Sequence, residues 1–198
     1  MSKLDKEKYH HLITTVNNAI YFDENNYLRE TTSNIDLLIH TIDELEKLVL
    51  SANESEKYLL SGMLGNLYRI YGNDEPLQLM KAEQYLNFCL DYAKRYGDIT
   101  KETITLVRLG EVYKYKNHHQ AALVLFEQAL AICGKQGLEL YLDFIYQHMG
   151  KCYLEMKLYD LAEKHFAEAL NLRKQKGDAS LLESTLKAIQ LNLTLRYQ

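Results

Sequence analysis

The apolar and polar positions of this chain repeat with a period of forty residues. The segment AALVLFEQAL (residues 121–130) returns as LAEKHFAEAL (residues 161–170), with an Ala, a Phe, a second Ala and a Leu in register. The first three shared residues are spaced by four and three, which places them on one face of an α-helix. Since only that face is repeated, the pattern predicts a helix with one constrained contact surface.

A second repeated pattern precedes each of these helices. The segments MLGNLY, RLGEVY and HMGKCY each contain an apolar residue, Gly, two variable residues and Tyr. Gly110 and Gly150 stand twelve residues before Ala122 and Ala162. The repeating unit is therefore a pair of helices. The Gly of helix A lets helix B approach closely, and the Phe of helix B fills the adjacent space.

Glycines also mark the predicted end of helix B. Gly97, Gly137 and Gly177 are forty residues apart, and a Gly just past a helix end can take the left-handed conformation that closes the last turn. The first copy is longer by five residues between its helix A and helix B patterns. We expect this insertion in the turn that contains Pro76.

These units resemble tetratricopeptide repeats. The residues that carry the resemblance are Leu64, Gly65, Tyr68, Ala82, Leu86 and Cys89; Leu109, Gly110, Tyr113, Ala122, Phe126 and Ala129; and Met149, Gly150, Tyr153, Ala162, Phe166 and Ala169. The family's usual unit is about 34 residues, and the longer unit here is similar to those of Gram-positive peptide-receptor regulators and kinesin light chains. The resemblance implies an all-α fold, a right-handed superhelix (a solenoid of antiparallel helix pairs).

The predicted organisation has about nine helices and no strand. Residues 3–22 and 33–50 read as two helices that form a degenerate first repeat or cap. The predicted boundaries are an N-terminal helix pair (1–53), three repeats (54–97, 98–137 and 138–177) and a C-terminal capping helix (178–198).

Composition and charge narrow the class of function. The net charge of −4 disfavours a general nucleic-acid binder, whose surface is basic. The sequence has no run of 18 apolar residues, which a membrane span requires, and its charged start lacks the apolar core of a signal peptide. We therefore expect a cytoplasmic protein with no membrane partner. The three cysteines show no paired spacing and are expected to be buried thiols.

The residue types that carry chemistry do not form a recognisable active site. The pairs His10–His11 and His118–His119 are adjacent, and neighbours on a helix point about 100° apart, so neither pair forms a ligand face. The segment that starts at Asp23 lacks the Gly and the final Glu of a calcium loop. There is also no phosphate loop, dinucleotide motif or nucleophile elbow. We expect no enzyme activity, no metal and no cofactor.

The resemblance implies that the A helices line a concave groove. The candidate ligand-binding residues, taken by their distance from each repeat Gly and from the final helix, are Leu59, Asn66, Arg69, Glu111, Lys114, Phe144, Gln147, Lys151 and Lys187. Cations outnumber anions there, and apolar residues lie along one edge. The sequence therefore predicts an interaction module, an adaptor or regulatory receptor, that binds an acidic peptide or protein segment. Three alternatives stay open: solvated surface charges, a structural self-assembly module and an accessory subunit of an enzyme.

The final helix carries two apolar stripes. We expect Leu182, Leu186, Ile189 and Leu193 to dock on the last repeat. The opposite stripe is predicted to form a homodimer interface around a two-fold axis, because an exposed apolar stripe marks a contact surface; its residues are Leu181, Ala188, Leu191 and Leu195. In the alternative reading, Leu191 lines the end of the groove and Leu195 lies in a frayed tail.

Overall fold

The computed structural model describes residues 3–73 and 75–198. These residues form nine α-helices and one β-hairpin. The helices are α1 (Lys3–Asn18), α2 (Ile35–Ser51), α3 (Glu54–Tyr71), α4 (Pro76–Arg95), α5 (Ile99–Tyr115), α6 (His119–Gln136), α7 (Leu142–Glu155), α8 (Tyr159–Lys176) and α9 (Ala179–Arg196). The strands are β1 (Ile20–Asp23) and β2 (Arg29–Thr32), and 3₁₀ turns lie at Glu24–Asn26 and Glu139–Tyr141.

The hairpin corrects the prediction that residues 3–22 form one helix and that the chain has no strand. Helix α1 ends at Asn18, and β1 pairs with β2 in antiparallel register from Ile20 opposite Thr32 to Asp23 opposite Arg29. Ile20, Tyr21 and Phe22 in β1 and the two threonines in β2 favour extended backbone. Because Ile20 and Phe22 also continue the apolar pattern of α1, the sequence did not show where the helix ends and the strand begins.

The chain divides into two compact units. The first comprises the residues up to Asp23 together with Arg29–Lys101, and the second comprises Glu24–Leu28 together with Glu102–Gln198. The two strands of the hairpin thus belong to the first unit, while its tip, Glu24–Leu28, belongs to the second.

The predicted close approach between helix A and helix B is confirmed in the three repeats. A Cβ atom added to Gly65 would lie 2.6 Å from Leu86 Cγ, and one added to Gly150 would lie 2.5 Å from Phe166 Cδ1. At Gly110 the added atom would overlap the ring of Phe126. Each glycine therefore faces the large residue of its own helix B, and the two helices pack closely at this point.

The turns also follow the forty-residue period. Asn117 and Lys157 occupy equivalent positions between helix A and helix B and have φ angles of 61° and 60°. The predicted glycine ends are confirmed, since Gly97, Gly137 and Gly177 have φ angles of 63°, 67° and 71°.

The insertion of the first repeat lies elsewhere than predicted. Helix α4 already begins at Pro76, so most of the extra residues lengthen that helix and not the turn. Proline fits this first helical position because its missing N–H has no partner there in any helix.

The docking face assigned to α9 was wrong at Leu186 and Leu193, whereas Ile189 packs against the core cluster as predicted. The buried residues of this helix are Thr185, Ala188 and Asn192, whereas Leu186 and Leu193 are exposed. The buried face carries polar groups because they satisfy partners on α8. The Thr185 hydroxyl accepts a hydrogen bond from Arg173 Nη1 at 2.8 Å, and Asn192 Nδ2 donates to the Tyr159 carbonyl at 3.1 Å.

This burial changes the position of the residues predicted for a homodimer. Ala188 is fully buried, and Leu191 and Leu195 pack against the core cluster that contains it. Leu181 is partly buried, and its carbonyl accepts a hydrogen bond from Arg173 at 3.1 Å. These residues lie on the docking side of α9, and the homodimer itself stays a prediction.

Two glycine substitutions in the second repeat should have opposite effects on stability. Gly110→Ala should lower the free energy of unfolding by about 1–3 kcal/mol, because the new methyl group overlaps the buried Phe126 ring. Gly134→Ala should raise it by about 0.5 kcal/mol, because this exposed helical glycine meets nothing within 4 Å and alanine favours the helix. Urea denaturation of both variants measures the difference. Equal effects would show that Gly110 is not a packing position.

Candidate functional site

The second unit carries most of the predicted groove residues on one surface, which we call the A-face. It consists of the sides of α5 and α7 that bear Glu111, Lys114, Gln147 and Lys151. Residues three or four apart lie on the same side of a helix, and these four residues are all buried. The A-face therefore contains polar groups that are shielded from water.

Lys114 lies between two carboxylates and not at a solvated surface. Its side chain is 0% exposed, and its Nζ lies 3.0 Å from Glu111 Oε1 and 3.7 Å from Glu155 Oε1. Burial lowers the pKa of Lys114, but the two carboxylates outweigh that effect and the net pKa is raised. The lysine is thus a buried cation whose charge is balanced inside the protein.

Two histidines extend Glu111, Lys114 and Glu155 into a row of five groups. His148 Nδ1 lies 2.9 Å from Glu111 Oε1, and His119 Nε2 lies 2.9 Å from Glu155 Oε2. His119 begins α6, and His148 lies on α7 next to Gln147 of the A-face. The row connects α5, α6 and α7 through polar contacts.

An apolar pocket adjoins the A-face. Its volume is about 330 Å³, and it lies between the first halves of α5 and α7. The lining residues are Thr103, Ile104, Val107, Arg108, Tyr141, Phe144 and His148. The apolar edge predicted for the groove thus forms a concave site, to which Phe144 contributes a partly exposed ring.

The hairpin tip is seated on the same surface. Lys151 Nζ donates a hydrogen bond to the Leu28 carbonyl at 3.1 Å, and the Leu28 side chain is 3% exposed. Leu28 packs in a cluster with Leu154, Phe166 and Ala188, and Tyr27 packs against that cluster.

The backbone of the tip is strained. Tyr27 and Leu28 have φ angles of 52° and 58°, and the left-handed conformation costs a residue other than glycine on the order of 1–3 kcal/mol. The contacts of the tip with the second unit must offset this cost.

The candidate residues of the first unit hold the hairpin strand. Arg69 is buried, and its Nη2 donates to Glu30 of β2 and to Asn66 Oδ1, the latter at 2.6 Å. Leu59 is exposed on α3. Arg69 is therefore buried and engaged within the protein, and the half-buried Asn66 is its hydrogen-bond partner.

A second pocket lies in the first unit, away from the predicted groove residues. It has a volume of about 450 Å³ and is lined by Glu46, Val49, Lys57, Ser61, Lys81, Gln84, Tyr85 and Phe88. Glu46 Oε1 accepts hydrogen bonds from Tyr68 at 2.6 Å and Tyr85 at 3.0 Å. Burial, followed by the bond to Glu46, raises the pKa of Tyr85 to about 12. The phenol therefore stays a donor at neutral pH.

Sequence reasoning missed the carboxylates that balance the groove cations. Glu155 lies one position beyond those counted from Gly150, and Glu30 comes from the hairpin. The apparent excess of cations reflected a count limited to four positions of each A helix. The sequence did contain one signal of this balance, the acidic Glu155 at the end of α7, one turn after Lys151.

Neither a protein-family model nor a curated protein matches the sequence. The structure is similar to several solved tetratricopeptide-repeat proteins. The apo form of RapI gives a TM-score of 0.64 at 19% identity, over 82% of this chain and 60% of RapI. The repeat domain of Arabidopsis FLU gives 0.54 at 17% identity, over 64% of this chain and all of that domain. A putative kinesin light chain of Podospora anserina gives 0.55 at 14% identity, over 80% of each chain.

These similarities show that the chain has the tetratricopeptide-repeat fold. The resemblance drawn from the Gly, Tyr, Ala and Phe positions is therefore confirmed at the level of fold. Among the described residues, no helix is both long and apolar enough to cross a membrane.

Two lysines predicted for the same groove should differ in their effect on stability. Lys114→Met should lower the free energy of unfolding by about 3 kcal/mol, because it leaves Glu111 and Glu155 buried without their shared cation. Lys187 is 56% exposed beside Glu183, so Lys187→Met should leave the denaturation midpoint unchanged. Urea denaturation at neutral pH compares the two.

Charge reversal at Lys114 should also lower the melting temperature. A third carboxylate would then face Glu111 and Glu155 in a buried site. A loss at Lys114 as small as that at Lys187 would contradict the structural role of the buried row.

Proposed function

We propose that this protein is an interaction module that binds a peptide or protein segment on the A-face of its second unit. The observation that carries the proposal is the apolar pocket of about 330 Å³ between α5 and α7. Its size lies within the range of about 300–1,000 Å³ that ligand pockets occupy. A pocket of this kind holds one large apolar side chain as an anchor.

A buried amide beside the pocket supports a peptide ligand in particular. Gln147 is 3% exposed, and neither its Nε2 nor its Oε1 has a hydrogen-bond partner among the described residues. A buried polar group without a partner costs about 1–3 kcal/mol. A carboxamide can both donate and accept, as a peptide bond does. A bound segment would satisfy both atoms of Gln147 through its backbone.

The acidic character expected of the partner loses its main basis. Glu111 and Glu155 already face Lys114, and Lys151 binds the Leu28 carbonyl. We therefore propose recognition through an apolar side chain and backbone groups, with charge in a secondary role. This role suits an adaptor or a regulatory receptor.

Self-association is the second candidate function. Leu186 and Leu193 lie seven residues apart on one face of α9, and Leu186 is 53% exposed. An exposed apolar face of this kind favours a contact with another protein surface, and a second copy of the chain is the simplest partner. Leu186→Glu should convert a dimer to a monomer in light scattering. A wild-type chain that is monomeric at tens of micromolar would exclude this candidate.

Selection of peptides from a random displayed library tests the primary proposal. Purified wild-type protein should enrich linear peptides with a large apolar residue. Val107→Asp should weaken their binding by about tenfold or more, because it places a charge in the apolar pocket. The matched control is Val124→Asp on α6, where the side chain is 52% exposed and lies outside the pocket. Affinities are measured by fluorescence anisotropy.

Binding that survives Val107→Asp would place the ligand elsewhere and contradict the proposed site. The selection is repeated with Tyr27→Ser and Leu28→Ser, which remove the side chains of the hairpin tip that pack beside the A-face. A failure of both proteins to enrich any peptide would contradict the proposed function itself.

A further inference from the structure

The tip of the hairpin contacts the second unit as a short peptide would. It is separated in sequence from every other part of that unit. Its contacts have two kinds: an apolar side chain, Leu28, enters the core cluster, and a backbone carbonyl accepts a hydrogen bond from Lys151. Segments bound to grooves are held by this combination of an anchor and main-chain contacts.

The apolar contacts of the tip extend over three helices of the second unit. The cluster that contains Leu28 also contains Leu154 of α7, Phe166 of α8 and Ala188 of α9.

Two features make the tip an incomplete occupant of this surface. Tyr27 and Leu28 take left-handed backbone conformations, which bulky residues disfavour. In addition, Gln147 lies one turn before Lys151 on the same side of α7, and the tip leaves both polar atoms of its buried amide without a hydrogen bond. A segment that relieved the strain and satisfied Gln147 would bind the surface better than the tip does.

We propose that the tip Glu24–Leu28 is a displaceable internal ligand of the A-face, and that partner segments bind by taking its place. This inference rests on the proposed function and specifies its ligand. The partner presents an adjacent aromatic and aliphatic residue, as Tyr27 and Leu28 do. It offers a carbonyl to Lys151, and a further peptide group of the partner pairs with Gln147.

The displacement can be measured with a peptide copy of the hairpin. The probe is IYFDENNYLRETT, residues 20–32, labelled with fluorescein and closed by a disulfide between cysteines added at its ends. The receptor is the full chain, either wild type or with Tyr27→Ser and Leu28→Ser, which removes the resident anchors. Since a resident tip leaves only a small fraction of molecules competent, the variant should bind the probe on the order of tenfold more tightly than wild type.

Matched controls separate this effect from general loosening. Tyr21→Ser with Phe22→Ser changes an exposed apolar pair on β1 of the same hairpin and should leave the affinity at the wild-type value. A probe in which Tyr and Leu are replaced by Ser should not bind the variant. Lys151→Met in the variant should weaken binding of the probe, because it removes the donor to the carbonyl of the residue equivalent to Leu28.

Hydrogen exchange of the wild-type chain gives a second readout that requires no change in the tip. Saturation with the probe, or with a peptide selected from the library, should speed amide exchange in residues 24–28 and slow it in α7. Unchanged exchange in residues 24–28 under saturation would overturn the proposal, as would equal affinity of the probe for wild type and the tip variant.

These outcomes differ from failure of the proposed function. Library peptides whose binding depends on Val107 would support the peptide-binding function. If these peptides neither compete with the probe nor change amide exchange in the tip, the tip is not an internal ligand. Absence of binding by every peptide, including the probe on the tip variant, would overturn both.

Discussion

The packing of each repeat depends on the absence of a side chain at one position of helix A. At Gly110 and Gly150 the ring of the following helix B occupies the space that a Cβ atom would need. This contact sets the distance between the two helices, and the equivalent turns at Asn117 and Lys157 set where the second helix begins. Because the same distance and turn recur, the A helices of the second unit present their outer sides on a common surface, where the pocket and the buried polar row lie.

The buried charges of the A-face balance one another, and the described residues of this surface have no excess of cations. The buried row His148–Glu111–Lys114–Glu155–His119 neutralises its own cation, so it contributes rigidity and little attraction for a charged partner. In the proposed function, the groups available to a bound segment are an apolar recess, a buried carboxamide and a lysine already bound to a main-chain carbonyl. Such groups would recognise the shape and backbone of a segment more than its net charge.

Sequence reasoning succeeded where a constraint repeats and failed where a contact occurs once. The contact of each helix A glycine with a large residue of helix B and the glycine helix ends were predictable because three copies share them. The hairpin was missed because Ile20 and Phe22 continue the apolar pattern of α1. Glu155 was missed because its partner, Lys114, lies one repeat away. The docking face of α9 was predicted only in part, at Ile189. Thr185 and Asn192 dock through hydrogen bonds, and a hydrophobic pattern counts such residues as exposed.

The covalent attachment of the hairpin tip gives it a property that no separate ligand has. Its local concentration at the A-face is set by the length of the two short strands that carry it, and for short tethers such values are on the order of millimolar. That value is the same whether the cell holds few or many copies of the protein. Under the proposed displacement, the tip would set a threshold, and changes in residues 24–28 would raise or lower the amount of partner needed for binding while the A-face stays unaltered.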